Sequence, residues 1–86
     1  MNENEYAKFK GMAKRVRSRE PERRSFWDGY LRGLFRGFVG ATMKINELAE
    51  MLLCVADDLD RVQMMDGYWI GLDLVKKWDK KKEGGV

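Results

Sequence analysis

The stretch from Trp27 to Gly40 reads W-D-G-Y-L-R-G-L-F-R-G-F-V-G, with glycines every four residues at Gly29, Gly33 and Gly37. A period of four belongs to a helix, because a strand repeats every two residues. On a helix the three glycines form one row, and Asp28, Arg32 and Arg36 form the next. Phe26, Tyr30, Leu34 and Phe38 make a third. Each glycine inside a helix costs about 1 kcal/mol relative to alanine. A helix that tolerates three of them needs something packed very close to that face. Small residues four apart let two helix backbones approach closely. The simplest use is a contact inside the fold, against the first predicted helix or against the one predicted near residue 45. The alternative is a glycine-lined groove that takes a partner's helix or a flat aromatic ring.

The rest of the chain also carries helical spacing. Tyr6, Phe9, Ala13 and Val16 are spaced three, four and three, with Met12 beside them, which predicts a helix from about Asn4 to Arg17 or Ser18. Pro21 disfavours helical geometry at Glu20, so a break falls there and Pro21 sits in the first turn of the next helix. That helix runs from about Glu22 to Val39, and Gly40 is its C-cap candidate. Ile45, Leu48, Leu52, Val55, Leu59 and Val62 predict a further helix with an apolar core-facing stripe, capped by Thr42 or Asn46. A dimer seam is the other use of such a stripe.

Asp66-Gly67 reads as a break or kink. Tyr68 to Val75 alternates like a strand, yet no other segment offers that strand a partner, so a helix through Trp78 is favoured. Asp28-Gly29-Tyr30-Leu31-Arg32-Gly33-Leu34 matches Asp66-Gly67-Tyr68-Trp69-Ile70-Gly71-Leu72 at five of seven positions. The flanks of the two copies differ. The reading is an all-α fold: a small bundle of three to four helices in one domain, residues 1–86, with a flexible tail from about residue 80. Oligomerisation is left open.

Composition narrows the function. At 86 residues there is room for one small core, and ten aromatic residues with a 44% hydrophobic fraction favour folding over disorder. The chain has no histidine, so the commonest general base and metal ligand is missing. A single cysteine, Cys54, allows no internal disulfide and suggests a reducing compartment. No phosphate loop, paired-cysteine motif or nucleophile–base pair is present, so no enzyme, cofactor or metal centre is expected. The charged first ten residues do not resemble a secretory signal, and no run suits a membrane span.

Charge is segregated along the chain. Residues 1–44 sum to +6, residues 45–75 to −6 and residues 76–86 to +3. Neighbouring helices of opposite sign that neutralise each other are one cause. A protein with one basic and one acidic face is the other. Lys14, Arg15, Arg17, Arg19, Arg23 and Arg24 form a basic cluster that suits nucleic acid or an acidic protein surface. Arginines and aromatics dominate binding hot spots, so Trp27, Tyr30, Arg32 and Arg36 are the candidate partner-binding residues. A helix-turn-helix near Leu48–Val62 is disfavoured because Asp57, Asp58 and Asp60 would repel phosphate. A membrane-surface helix at Trp27–Phe35 explains its aromatics less simply than a core does.

Phe26-Trp27-x-Gly29-Tyr30-x-Arg32-Gly33-Leu34-x-Arg36-x-x-x-Gly40 resembles a segment of short accessory proteins from phages and integrated mobile elements. Phe38 and Val39 stand where those proteins often carry further basic residues. The resemblance implies a small cytoplasmic protein of a bacterial host cell. It further implies a non-enzymatic inhibitor of a host nucleoprotein defence complex, of anti-CRISPR type.

Overall fold

The computed structural model describes residues 1–40 and 57–84, and these are helical throughout apart from short connections and ends. Helix α1 spans Glu3–Arg19, a single 3-10 turn follows at Pro21–Arg23, α2 spans Arg24–Val39 and α3 spans Asp58–Gly84. The described residues contain no strand, so the all-α reading holds with three helices. The predicted stripe residues Ile45, Leu48, Leu52 and Val55, the caps Thr42 and Asn46, and Cys54 lie outside the described residues.

Local chemistry fixes the helix ends. Asn2 accepts a hydrogen bond from the Glu5 amide at 2.8 Å, while the Asn2 amide donates to the Glu5 carboxylate at 2.9 Å. This reciprocal box satisfies two otherwise orphan donors of α1. Pro21 opens the 3-10 turn, as its fixed φ and missing N–H dictate. Gly40 takes the left-handed conformation at φ 62°, and its amide donates to the Arg36 carbonyl at 3.1 Å. At the start of α3 the Asp57 carboxylate accepts from the Leu59 and Asp60 amides at 2.8 and 3.3 Å.

The centre of the fold is a backbone-to-backbone contact between α2 and α3. A Cβ added to Gly29 would collide with the Met64 carbonyl, and one on Gly33 with the Tyr68 carbonyl. In return, a Cβ on Gly67 would strike the Phe26 carbonyl, and one on Gly71 the Tyr30 carbonyl. Gly37 lies against Val75, where an added Cβ would sit 2.6 Å from the valine Cβ. Partner numbers rise together along both helices, so α2 and α3 run parallel. The contacts are offset by 35 residues (Gly29–Met64, Gly33–Tyr68) and by 41 (Phe26–Gly67, Tyr30–Gly71), symmetric about 38, which is the spacing of the two echoed segments. Gly29 and Gly67 are equivalent, as are Phe26 and Met64, Gly33 and Gly71, and Tyr30 and Tyr68. The echo is therefore two equivalent surfaces meeting each other about a local two-fold relation. The glycine row packs inside the fold, against residues 64–75 rather than against α1.

Two further expectations change. Asp66-Gly67 neither breaks nor kinks α3 into two elements, because Gly67 is an interface glycine of one continuous helix. Leu59 and Val62 are exposed at 66% and 55%, so they are not core. At the observed register Arg24, the first residue of α2, is level with Val62, and Leu59 projects beyond the start of α2. The segment Tyr68–Val75 is helical, and buries Tyr68, Leu72 and Val75 together with Met64, Leu34 and Ala13.

Helix α1 runs antiparallel to the pair and is held by rings and clips. Tyr6 stacks on Phe38 with centroids 4.4 Å apart and planes 9° from parallel. Phe9 meets Trp78 edge-on at 5.3 Å, and the Trp78 indole donates to Glu5. The N-terminal ammonium pairs with Asp79. At the other end Arg17 Nε lies 2.8 Å from the Asp28 carboxylate.

Gly33→Ala should therefore lower stability by about 1–3 kcal/mol, because the added methyl meets a carbonyl that cannot rotate away. The gain in helix propensity, about 1 kcal/mol, is smaller. Gly11, in α1, has nothing within 4 Å of an added Cβ, so Gly11→Ala should raise stability by roughly 0.5–1 kcal/mol. Urea denaturation of the two variants checks both signs.

Candidate interaction surface

The four residues proposed for partner binding do not share one environment. Trp27 is half-buried, and its indole Nε1 donates to the Glu20 carboxylate at 3.0 Å, closing the α1–α2 elbow. Its ring meets Phe26 at 5.1 Å and Tyr30 at 5.3 Å, both edge-on. Tyr30 is half-buried, and its backbone carries the contact with Gly71. Both rings are thus occupied in the fold. Arg32 is exposed and Arg36 is half-buried.

Two residues join the arginines on the outer face of α2. Phe35 is 50% exposed and Val39 46% exposed. Positions 32, 35, 36 and 39 follow the one-face spacing of a helix. Arg32, Phe35 and Val39 therefore form one exposed ridge, with Arg36 on the same row but two of its guanidinium nitrogens buried. Tyr6 borders it on the α1 side, its ring 6.4 Å from that of Phe35. The sequence did carry this signal. The apolar pairs 34/35 and 38/39 cannot both point inward at 100° per residue, and the glycine row decides which member does. Leu34 is fully buried and Phe38 stacks on Tyr6, which leaves Phe35 and Val39 outside.

The basic cluster divides in a similar way. Arg17 is committed to Asp28. Arg23 is exposed but lies over the Phe26 ring, 4.5 Å from its centroid. Lys14, Arg15, Arg19 and Arg24 are exposed, and among the described residues none has an acidic partner. Neutralisation by the described acids of α3 does not occur: Asp58 pairs locally with Arg61, and Asp73 with Lys77. Arg19 suits the negative pole of α1, but Arg23 and Arg24 stand at the positive pole of α2, where the helix dipole disfavours cations. No acidic residue lies in the first turn of α2 to offset them.

On α3 the exposed apolar residues are Leu59, Val62, Trp69 and Ile70. Among the described residues no three acidic or cysteine side chains gather as a metal site, and no helix is long and apolar enough to cross a membrane. Comparison with known proteins finds no matching family, no similar curated protein and no similar solved structure.

Burial raises the pKa of both Tyr6 and Tyr30 above a tyrosine's ordinary value. The neutral phenol is the form the fold favours. Their contribution to stability is complete below about pH 10 and is lost as pH climbs through the raised values. Lys77 is also raised, by its hydrogen bond to Asp73, but it is exposed and solvent screens the effect. Denaturation midpoints should fall above about pH 10, and Tyr6→Phe/Tyr30→Phe should flatten that fall relative to the wild type.

Proposed function

We propose that the protein is a small non-enzymatic binding protein that engages a protein partner through the outer ridge of α2. The observation that carries this reading is the half-exposed Phe35, beside the exposed Val39 and Arg32, on a helix two of whose other faces are filled. One face of α2 meets α3 at backbone distance, and another takes the rings of α1. An aromatic flanked by arginines has the composition of a binding hot spot. The absence of histidine from the sequence supports a role in binding rather than catalysis.

The resemblance of the Phe26–Gly40 pattern to accessory proteins of mobile elements supplies the target class. That class is a nucleoprotein defence complex of the bacterial host, blocked by occupancy in the cytoplasm. Under this reading the exposed Arg32 supplies charge-assisted contacts and Phe35 fills an apolar pocket on the partner, while Arg36, two of whose guanidinium nitrogens are buried, stays within the fold. Trp27 and Tyr30 act indirectly, by fixing the elbow and the α2–α3 contact that present the ridge.

Affinity capture from a bacterial lysate with the tagged wild type should enrich a discrete protein set that survives nuclease treatment. Arg32→Ala/Phe35→Ala should cut that capture at least tenfold, a loss of about 1.4 kcal/mol or more, without lowering the melting temperature. Undiminished capture by the double variant would remove the ridge from the interface.

A further inference from the structure

We infer that the α1–α2 elbow is a docking surface for the phosphate backbone of double-stranded nucleic acid, separate from the α2 ridge. Lys14, Arg15, Ser18 and Arg19 lie at i, i+1, i+4 and i+5, one outward strip of α1. The 3-10 turn Pro21–Arg23 follows, and Arg23 and Arg24, both exposed, stand where α2 begins. Five exposed cations thus lie within eleven residues at the end of one helix and the start of the next, and Glu22 is the one exposed acid between residues 14 and 24.

Three observations select the partner. First, the charges are unspent: none of the five has an acidic partner among the described residues, although Arg23 lies over the Phe26 ring. The half-buried acid of the turn, Glu20, accepts from the Trp27 indole and forms no ion pair with any of the five. Second, Arg23 and Arg24 are held against the dipole of α2, so local helix stability does not explain them. Third, four of the five are arginine, whose planar fork matches phosphate oxygens in pairs.

The surroundings argue against other polyanions. Binding at a bilayer surface needs apolar side chains that can enter the acyl boundary. The elbow's own rings are turned to internal tasks, with Phe26 under Arg23 and Trp27 bonded to Glu20. Single strands are held by bases stacked on free aromatic faces, and the same two rings would have to leave the fold to supply them. A duplex backbone asks only for an array of cations.

The test is fluorescence anisotropy with a labelled mixed-sequence DNA duplex of about two helical turns, titrated with the full chain at several salt concentrations. Four to five phosphate contacts predict a slope of log K on log salt of about −4, or roughly a 250-fold loss between 50 and 200 mM salt. The variant Lys14→Gln/Arg15→Gln/Arg19→Gln/Arg24→Gln should lose the binding. Lys8→Gln/Lys76→Gln/Lys77→Gln/Lys80→Gln removes the same charge elsewhere and should keep it. Arg15→Gln/Arg19→Gln alone should reduce the slope by about 2, which gives a reading even if the fourfold variant folds poorly. No duplex binding at low salt, equal loss in both fourfold variants, or binding to anionic phospholipid vesicles without duplex binding would each overturn the assignment.

Discussion

Everything else in this structure depends on carbonyl oxygens of one helix resting where side chains of the other would begin. Met64 and Tyr68 present their carbonyls to Gly29 and Gly33, and Phe26 and Tyr30 present theirs to Gly67 and Gly71. A glycine has a second Cα hydrogen in place of Cβ, and such hydrogens make weak contacts to carbonyls at helix interfaces. The larger gain is dispersion between backbones that ordinary side chains would hold apart. At these four glycines no side chain lies between α2 and α3, and only further along, at Gly37, does the Val75 side chain enter the seam. The core is consequently narrow, and its two most deeply buried large side chains are Leu34 and Val75.

That constraint explains how α1 is attached. With the α2–α3 seam closed by backbone, α1 meets a shallow groove, and only Ala13 of its residues is fully buried. The helix is fixed mainly near its two ends. Tyr6 on Phe38 and Phe9 on Trp78 secure one end, while Arg17 to Asp28 and Trp27 to Glu20 secure the other. α3 has 27 residues against 16 in α2, and its excess at the C-terminal end carries Trp78 and Asp79 to the start of α1. The same clips consume Arg17 and Glu20, and so determine which charges of the elbow remain outside.

Much of the fold was legible because its signals are local. Pro21 marked the break, Gly40 the cap, and the period of four in Trp27–Gly40 announced a close contact on the glycine face. The identity of the contacting helix was not legible by periodicity, because the stripe near residue 45 was the more conspicuous apolar pattern. Asp66-Gly67 read as a break because glycine after aspartate weakens a helix locally, and only the tertiary contact makes that glycine an asset. The site followed the same logic. Trp27 and Tyr30 have the composition of hot spots, yet large rings serve a core equally well, and composition does not distinguish the two uses. Phe35 and Val39 were recoverable from geometry, by asking which member of each apolar pair the glycine row forces outward.

The register also changes what the sequence echo means. Gly29, Gly33 and Leu34 are buried in one copy, and Gly67, Tyr68, Gly71 and Leu72 in the other. The positions that differ, Leu31 and Arg32 against Trp69 and Ile70, are half-buried or exposed. Identity therefore tracks the contact. Two parallel helices meeting about a local two-fold need glycine at equivalent places on both, whatever their origin, so packing alone would produce most of the match. Asp28 and Asp66 are the exception: the first pairs with Arg17, the second is exposed, and nothing in the contact requires them to be alike. The echo is accordingly a statement about geometry before it is one about descent. It leaves the outward positions free to diverge, as the exposed Arg32 and its equally exposed equivalent Ile70 show.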